Sequence, residues 1–333
     1  MIMYFQGYDA KEIWKADKEL FSDFYGYWFF ELLYIKLFGK KRRPKAYAGK
    51  TVLNLEEGNR KLKSQILSDK PFMAGRFGGN ELMFTQMSHF IQNGYMGTRN
   101  VNEFREECEN CGLFPLDEET VIRFGQLMKN SVGNCDTLCV WYNTLEDYFI
   151  KKYMRQEGQL IPRKVLDFWN FEEPWTAALK GKKVLVIHPF AELIERQYAK
   201  RTELYSQNQS ILPEFELVTL PAVQTIAGTK DERFQSWFDA LDYMVKKAEQ
   251  IEFDIALIGC GAYGFPLACK IKQMGKQAIH MGGVTQILFG IRGGRWDQDQ
   301  EEKLMRYIND AWVRPDKKYI PVKAQQVENS CYW

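Results

Sequence analysis

The chain of 333 residues has room for one large domain or two ordinary ones, and its 45% hydrophobic and 15% aromatic content supplies a substantial core. Its 45 basic and 43 acidic residues leave a formal charge of +2, so no global field draws it to nucleic acid. Seven scattered cysteines, with no apolar leader in Met1–Lys15, point to free thiols in a reducing cytoplasm rather than to a disulfide scaffold.

In chain order, Met3-Tyr4-Phe5-Gln6-Gly7 resembles the remainder of a protease-cleaved tag. Residues 18–38 are apolar and aromatic but interrupted by Asp23, Glu31 and Lys36, which makes them a poor membrane span. One reading is an aromatic-rich helix packed on the protein or on a second copy of it. The other is a peripheral membrane contact through residues 18–43 at the inner face of the plasma membrane. There Tyr25, Tyr27, Trp28, Phe29 and Phe30 would sit at the headgroups, and Lys40, Lys41, Arg42 and Arg43 would meet anionic lipid.

After Lys50 the pattern becomes α/β. A helix is predicted over 53–68, a strand over 71–77 and a helix from Glu81, then a helix-rich stretch broken at Gly112–Pro115 and a strand over 137–142. Strands follow at 182–187, 215–220, 253–258 and 277–281, alternating with helices at 192–200, 231–252 and 266–274. Alternation of this kind predicts a Rossmann-like, mostly parallel sheet with helices on both faces. Without an internal linker, the economical division is an N-terminal helical extension, residues 1–50, and a single domain, residues 51–333.

The strongest local signal is Gly259-Cys260-Gly261-Ala262-Tyr263-Gly264, a G-x-G-x-x-G turn between a buried strand and a helix. Small residues and a helix N-terminus suit a phosphate. A dinucleotide site would need a carboxylate at the end of the next strand, but that strand ends His280-Met281-Gly282-Gly283. A nucleotide or diphosphate site survives this objection; a tight turn without ligand is the bland alternative. The second signal, Gly75-Arg76-Phe77-Gly78-Gly79-Asn80-Glu81, places a cation and a carboxylate past a strand end. Arg76 would hold phosphate and Glu81 would act as base or metal ligand, unless the two merely pair to tie the loop. His188, one of three histidines, also falls just past a strand, where a structural role competes with a ligand role. Glu192 and Glu195 read as surface carboxylates. Cys108-x-x-Cys111 with Cys135 and Cys139 is a weak zinc pattern, better read as plain thiols.

Several segments together resemble bacterial polysaccharide-cluster proteins related to the GT-D type glycosyltransferases. They are RFGGNEL (76–82), CGLFPLDEE (111–119), VLVIHPFAELIERQY (184–198), DIALIGCGAYGFPLACKIKQMGKQAIHMGG (254–283), LFGIRGGRW (288–296) and ENSCYW (328–333), spanning roughly residues 70–333. The resemblance implies a hexosyltransferase-like enzyme. It would use a nucleotide-sugar donor, of UDP type, and a surface-polysaccharide or lipid-linked glycan acceptor. Family members carry Asp-x-Glu in the first loop, tied to Mn²⁺ or Mg²⁺; here the Glu falls on Glu81 but Gly79 stands at the Asp position. On this basis Glu81, Arg76 and His188 are the expected catalytic residues. Gly78, Gly79, Asn80, Gln197, Gly259, Gly261, Ala262, Tyr263, Gly264, Arg295 and Trp296 are the expected donor contacts. The competing functions are an NAD(P)- or SAM-dependent enzyme using the same turn, and a non-catalytic assembly partner with a decayed donor site.

Overall fold

The computed structural model describes residues 7–39, 43–299, 301–327 and 330–333, and the side chains of residues 26–28, 32, 299 and 326 lie outside that description. Most of the tag-like run, the basic residues Lys40, Lys41 and Arg42, the Tyr27 and Trp28 side chains, and Glu328-Asn329 of the terminal motif therefore fall outside it.

Seven short strands form one sheet: β1 (Phe72–Gly75), β2 (Thr137–Val140), β3 (Gln159–Pro162), β4 (Lys183–His188), β5 (Glu216–Pro221), β6 (Ile255–Ile258) and β7 (Gln277–His280). Their spatial order is β3-β2-β1-β7-β6-β4-β5, and every adjacent pair is parallel. Parallel strands buried on both sides need apolar residues at consecutive positions. Met73, Leu138, Leu185, Ala256 and Ala278 point into one core, whereas Phe72, Ala74, Cys139, Val184, Leu257 and Ile279 point into the other.

The helices divide accordingly. Those that cover the sheet include, along the chain, α1 (Leu55–Leu67), α2 (Gly79–Asn93), α3 (Glu118–Asn134), α4 (Glu146–Tyr153), α5 (Ala191–Tyr198), α6 (Trp237–Glu249), α7 (Gly264–Gln273) and α8 (Val284–Leu288). Helices α2, α3, α4, α6 and α7 cover the first core; α1, α5, α8 and the turns over 163–179 cover the second. The α/β expectation with helices on both faces is met. Strand β1 feeds α2 on one face, and its neighbour β7 feeds α8 on the other. Chains leaving adjacent strands in opposite directions open a crevice at the carboxyl ends, where α/β sheets hold ligands.

The expected helical extension ends in a short antiparallel pair, Ala46–Tyr47 with Lys50–Thr51, and two elements of the main domain also differ from expectation. Strand β3 was not predicted: it is a four-residue edge strand whose polar and proline ends hide its two buried residues, Leu160 and Ile161. Helix α6 begins at Trp237 rather than near 231, because Ser236 and Asp239 form a reciprocal capping box that stops it.

The N-terminal extension has two characters. Helices Ala10–Ala16 and Lys18–Phe21 bury Ile13 and Leu20, and Phe24 meets Phe90 edge-on at 5.1 Å. Helix Tyr27–Phe38 instead leaves Phe29, Phe30, Leu37 and Phe38 at least 60% exposed. No helix among the described residues is long and apolar enough to cross a membrane.

Candidate functional site

A cavity of about 460 Å³ opens at the carboxyl ends of β1, β2, β4, β6 and β7. It brings the two glycine-bearing turns face to face. Arg76, Gly78, Gly79, Asn80 and Glu81 line one side, and Gly259, Gly261, Ala262 and Tyr263 line another.

The first turn carries the charge. Gly78 caps α2 in extended backbone with no side-chain cap, which leaves the first amides of a 15-residue helix at the cavity. The Glu81 carboxylate folds back against Gly78, where any β-carbon would collide with it. The Arg76 guanidinium lies 4.8 Å from the Trp141 ring centre and donates to the Phe77 carbonyl at 3.4 Å. It packs on Gly282, which is held at φ +62 with no room for a side chain. Among the described residues Arg76 joins no ion pair, so the tie to Glu81 weighed from the sequence is not made.

The second turn carries shape. A β-carbon on Gly259 would sit 2.6 Å from the Thr285 hydroxyl and 2.7 Å from the His188 ring. Gly261 adopts φ +57 and faces open space. Tyr263 stacks on Trp237 at 4.5 Å and shares a 2.8 Å hydrogen bond with Thr225, which in turn donates to the Gly112 carbonyl. Gly264, expected to contact the donor, does not line the cavity. Its α-carbon is pressed against the His280 ring, so its role is close packing of α7 on β7.

Other expected residues separate in the same way. His188 lines the cavity, fully buried, and its Nδ1 accepts the Phe190 N–H at 3.0 Å, which puts the proton on Nε2. Burial lowers its pKa to about 3. It is therefore a neutral donor and cannot neutralise a diphosphate by charge, as the sequence reading had allowed. Gln197 is corrected outright: its amide donates to the carbonyls of Ala311 (2.9 Å) and Gly290 (3.4 Å), anchoring the C-terminal segment away from the cavity. Arg295 lines the cavity and lies 5.1 Å from the Tyr332 ring. Trp296 lines a neighbouring cavity instead. Glu192 pairs with Lys318, and Glu195 accepts from Thr219. All seven cysteines are free and buried, and among the described residues no three His, Cys, Asp or Glu side chains converge as a metal site would require.

Sequence reasoning missed several lining residues: Trp141 and Asn143 past β2, Gln224 and Thr225 past β5, and Tyr332 and Trp333. The Trp141–Asn143 loop is held by Glu146, whose buried carboxylate accepts the N–H groups of Trp141 (3.1 Å), Tyr142 (2.6 Å) and Asn143 (3.3 Å). Desolvation dominates those bonds and raises its pKa to about 7. For the first four lining residues, position just past a strand was the available signal; no glycine or charge marked them.

Among the described lining residues, the charged side chains are Arg76, Arg295 and Glu81, with Trp141, Phe190, Tyr263, Tyr332 and Trp333 as aromatic wall. Such a pocket suits a flat ring joined to an anion.

No family model and no curated protein matches the chain. Among solved structures it is similar to one described as domain of unknown function 1792 and to one described as showing that this domain has a distinct glycosyltransferase fold. Each has 11% identity and a TM-score of 0.44, with 82% of this chain and 94% of that chain covered. It is also similar to a structure described as a new glycosyltransferase (DUF1792) from Streptococcus sanguinis, at 12% identity and a TM-score of 0.43, covering 81% of this chain and 96% of that one.

Proposed function

We propose that the chain is a glycosyltransferase that moves a sugar from a nucleotide donor of UDP type to a surface-polysaccharide or lipid-linked glycan acceptor. The observation that carries this reading is an arginine without a carboxylate partner among the described residues, facing the same cavity as the Gly259–Gly261 turn. Arg76 and Arg295 outnumber Glu81 on the described lining and favour an anion, and the aromatic wall offers stacking to a base. In this reading the sheet works in the Rossmann-like manner, with its ligand at the strand ends.

In this reading Arg76 and Arg295 stabilise negative charge on the departing diphosphate, helped by the α2 amides and the His188 N–H. Glu81 takes the proton from the acceptor hydroxyl as the new glycosidic bond forms and the sugar–phosphate bond breaks. Mn²⁺ or Mg²⁺, if the reaction uses one, would have Glu81 as its one carboxylate ligand from the described lining, and the donor's phosphates would have to supply the rest. The exposed helix Tyr27–Phe38, with the basic residues after it, is proposed to rest on anionic lipid in the cytoplasm, where a lipid-linked acceptor would be met.

Glu81→Gln is expected to lower turnover by about 1,000-fold while leaving the melting temperature nearly unchanged; a variant at the wild-type rate removes Glu81 from the mechanism. UDP and UDP-sugars should raise the melting temperature, with and without Mn²⁺ or Mg²⁺ as separate arms, whereas NAD and SAM should not. Gly79 at the position of a second carboxylate favours one other reading, a non-catalytic partner with a decayed site. Hydrolysis of a UDP-sugar without acceptor would dismiss it.

A further inference from the structure

A second cavity of about 310 Å³ lies beside the first and shares Arg76, Trp141, Gly283 and Arg295 with it. Its far wall includes Asp167, Trp169, Trp296 and Glu301. Most polar atoms there are paired. Arg163 donates to Asp167 Oδ1 at 3.1 Å, and Glu301 accepts from Trp169 Nε1 at 2.6 Å and Lys164 at 3.1 Å.

Two are not. Asp167 is 1% exposed, yet its Oδ2 has no hydrogen-bond partner among the described residues. The indole N–H of Trp141, on the shared wall, is buried and unpartnered as well. Leaving such groups bare costs about 1–3 kcal/mol each, so each calls for a hydrogen-bonding partner, either solvent or a ligand that displaces it.

The lining narrows the chemistry of a ligand that would displace water there. Asp167 and Glu301 disfavour an anion, and Arg76, Arg163 and Arg295 disfavour a cation. A carboxylate oxygen that must accept and an indole that must donate are both answered by hydroxyl groups, which do either. Trp169 and Trp296 add flat apolar surface of the kind that the C–H face of a sugar covers.

We infer that the second cavity holds a neutral pyranose, with hydroxyls bonded to Asp167 and Trp141. The assignment of its source rests on the transferase reading: the ring is either the donor's sugar, reaching past Arg76, or the terminal sugar of the acceptor.

Calorimetric titration tests this with UDP, UDP-glucose, UDP-N-acetylglucosamine and a panel of neutral oligosaccharides. The proteins would be wild type, Asp167→Asn and Trp296→Leu, the second variant guarding against misfolding of the first. If the donor's sugar is the occupant, UDP-sugars bind the wild type at least 10-fold more tightly than UDP, and Asp167→Asn cancels that gain without changing UDP affinity. If the acceptor is the occupant, Asp167→Asn weakens oligosaccharide binding at least 10-fold and leaves UDP-sugars alone. Failure of UDP to bind, with oligosaccharide binding still lost in the variants, sinks the nucleotide reading but keeps the sugar site. Variants that bind every sugar as the wild type does, or a wild type that binds none, overturn it.

Discussion

Two glycine-bearing turns face each other across the cavity, and they differ in what they contribute. The Gly259–Gly264 turn looked the stronger in sequence, yet it brings no charged side chain: Gly259 allows close approach, Gly261 supplies a left-handed bend, and Gly264 is packing. The Gly75–Glu81 turn brings a guanidinium, a carboxylate and the uncapped start of a 15-residue helix. A glycine pattern thus marks where a backbone can come near a ligand, while the charges that would handle the ligand sit one strand away. His280, outside the cavity, packs beneath both turns, against Gly75 and Gly264 alike.

The sharpest way to break this contrast is to remove the cation. Arg76→Ala should lower kcat/KM by about 100- to 1,000-fold, roughly 3–4 kcal/mol, as expected for losing a donor to a developing anion. Its stacking on Trp141 is partly exposed, so stability should fall by no more than about 1 kcal/mol. Arg76→Lys should recover only part of the activity, since an ammonium lacks the planar fork. Nucleotide affinity and rate equal to wild type in Arg76→Ala would move the charge-bearing role elsewhere.

The glycines of the second turn should then divide. In Gly264→Ala the new methyl meets the His280 ring in a filled core, at a cost of about 1–3 kcal/mol by overpacking. Folded Gly264→Ala protein should bind UDP as before. In Gly261→Ala nothing lies within 4 Å of the methyl, and the cost is the left-handed backbone, about 1–2 kcal/mol. Here the methyl enters the cavity, so UDP affinity should drop. Denaturant midpoints and nucleotide titration on the pair decide the matter, and the opposite pattern would exchange the two roles.

How much of this could be read in advance depended on local contrast along the chain. Strands β4 and β6 announce themselves as unbroken apolar runs, and Arg76 and Glu81 stand out because charge beside glycine past a strand is conspicuous. Strand β3 does not, because an edge strand needs only Leu160 and Ile161 to be buried. The capping box that shortens α6 was present in Ser236 and Asp239 but was outweighed by the apolar spacing around it. Trp141 was hidden for another reason: it is positioned by Glu146, five residues on, through backbone bonds that no composition rule reveals. Gln197 misled in the opposite direction. A buried amide in a motif-like segment reads as a ligand contact, yet it spends its donors on two carbonyls brought from far along the chain.

The smallest expected effect concerns His280, where the two turns meet. Burial first, and the Arg76 charge second, lower its pKa to about 3. A histidine whose folded pKa is depressed adds stability above its unfolded value near 6.5, and that stability is lost as pH falls through the interval down to about 3. Between pH 7.5 and 5.5 this single residue should therefore cost the wild type about 1.4 kcal/mol. The total pH profile is a poor readout, because Asp167 and Glu146 have raised pKa values, about 6 and about 7, and shift stability the other way in the same window. His280→Asn isolates the term. The cavity left by the smaller side chain costs the same at both pH values, and the two carboxyl groups contribute equally to variant and wild type. The stability gap between the proteins, measured by urea unfolding, should then narrow by about 1.4 kcal/mol at pH 5.5. A gap that does not change with pH would mean that the packed ring takes up its proton as readily as in the unfolded chain, and the dry packing of His280 beneath the two turns would have to be given up.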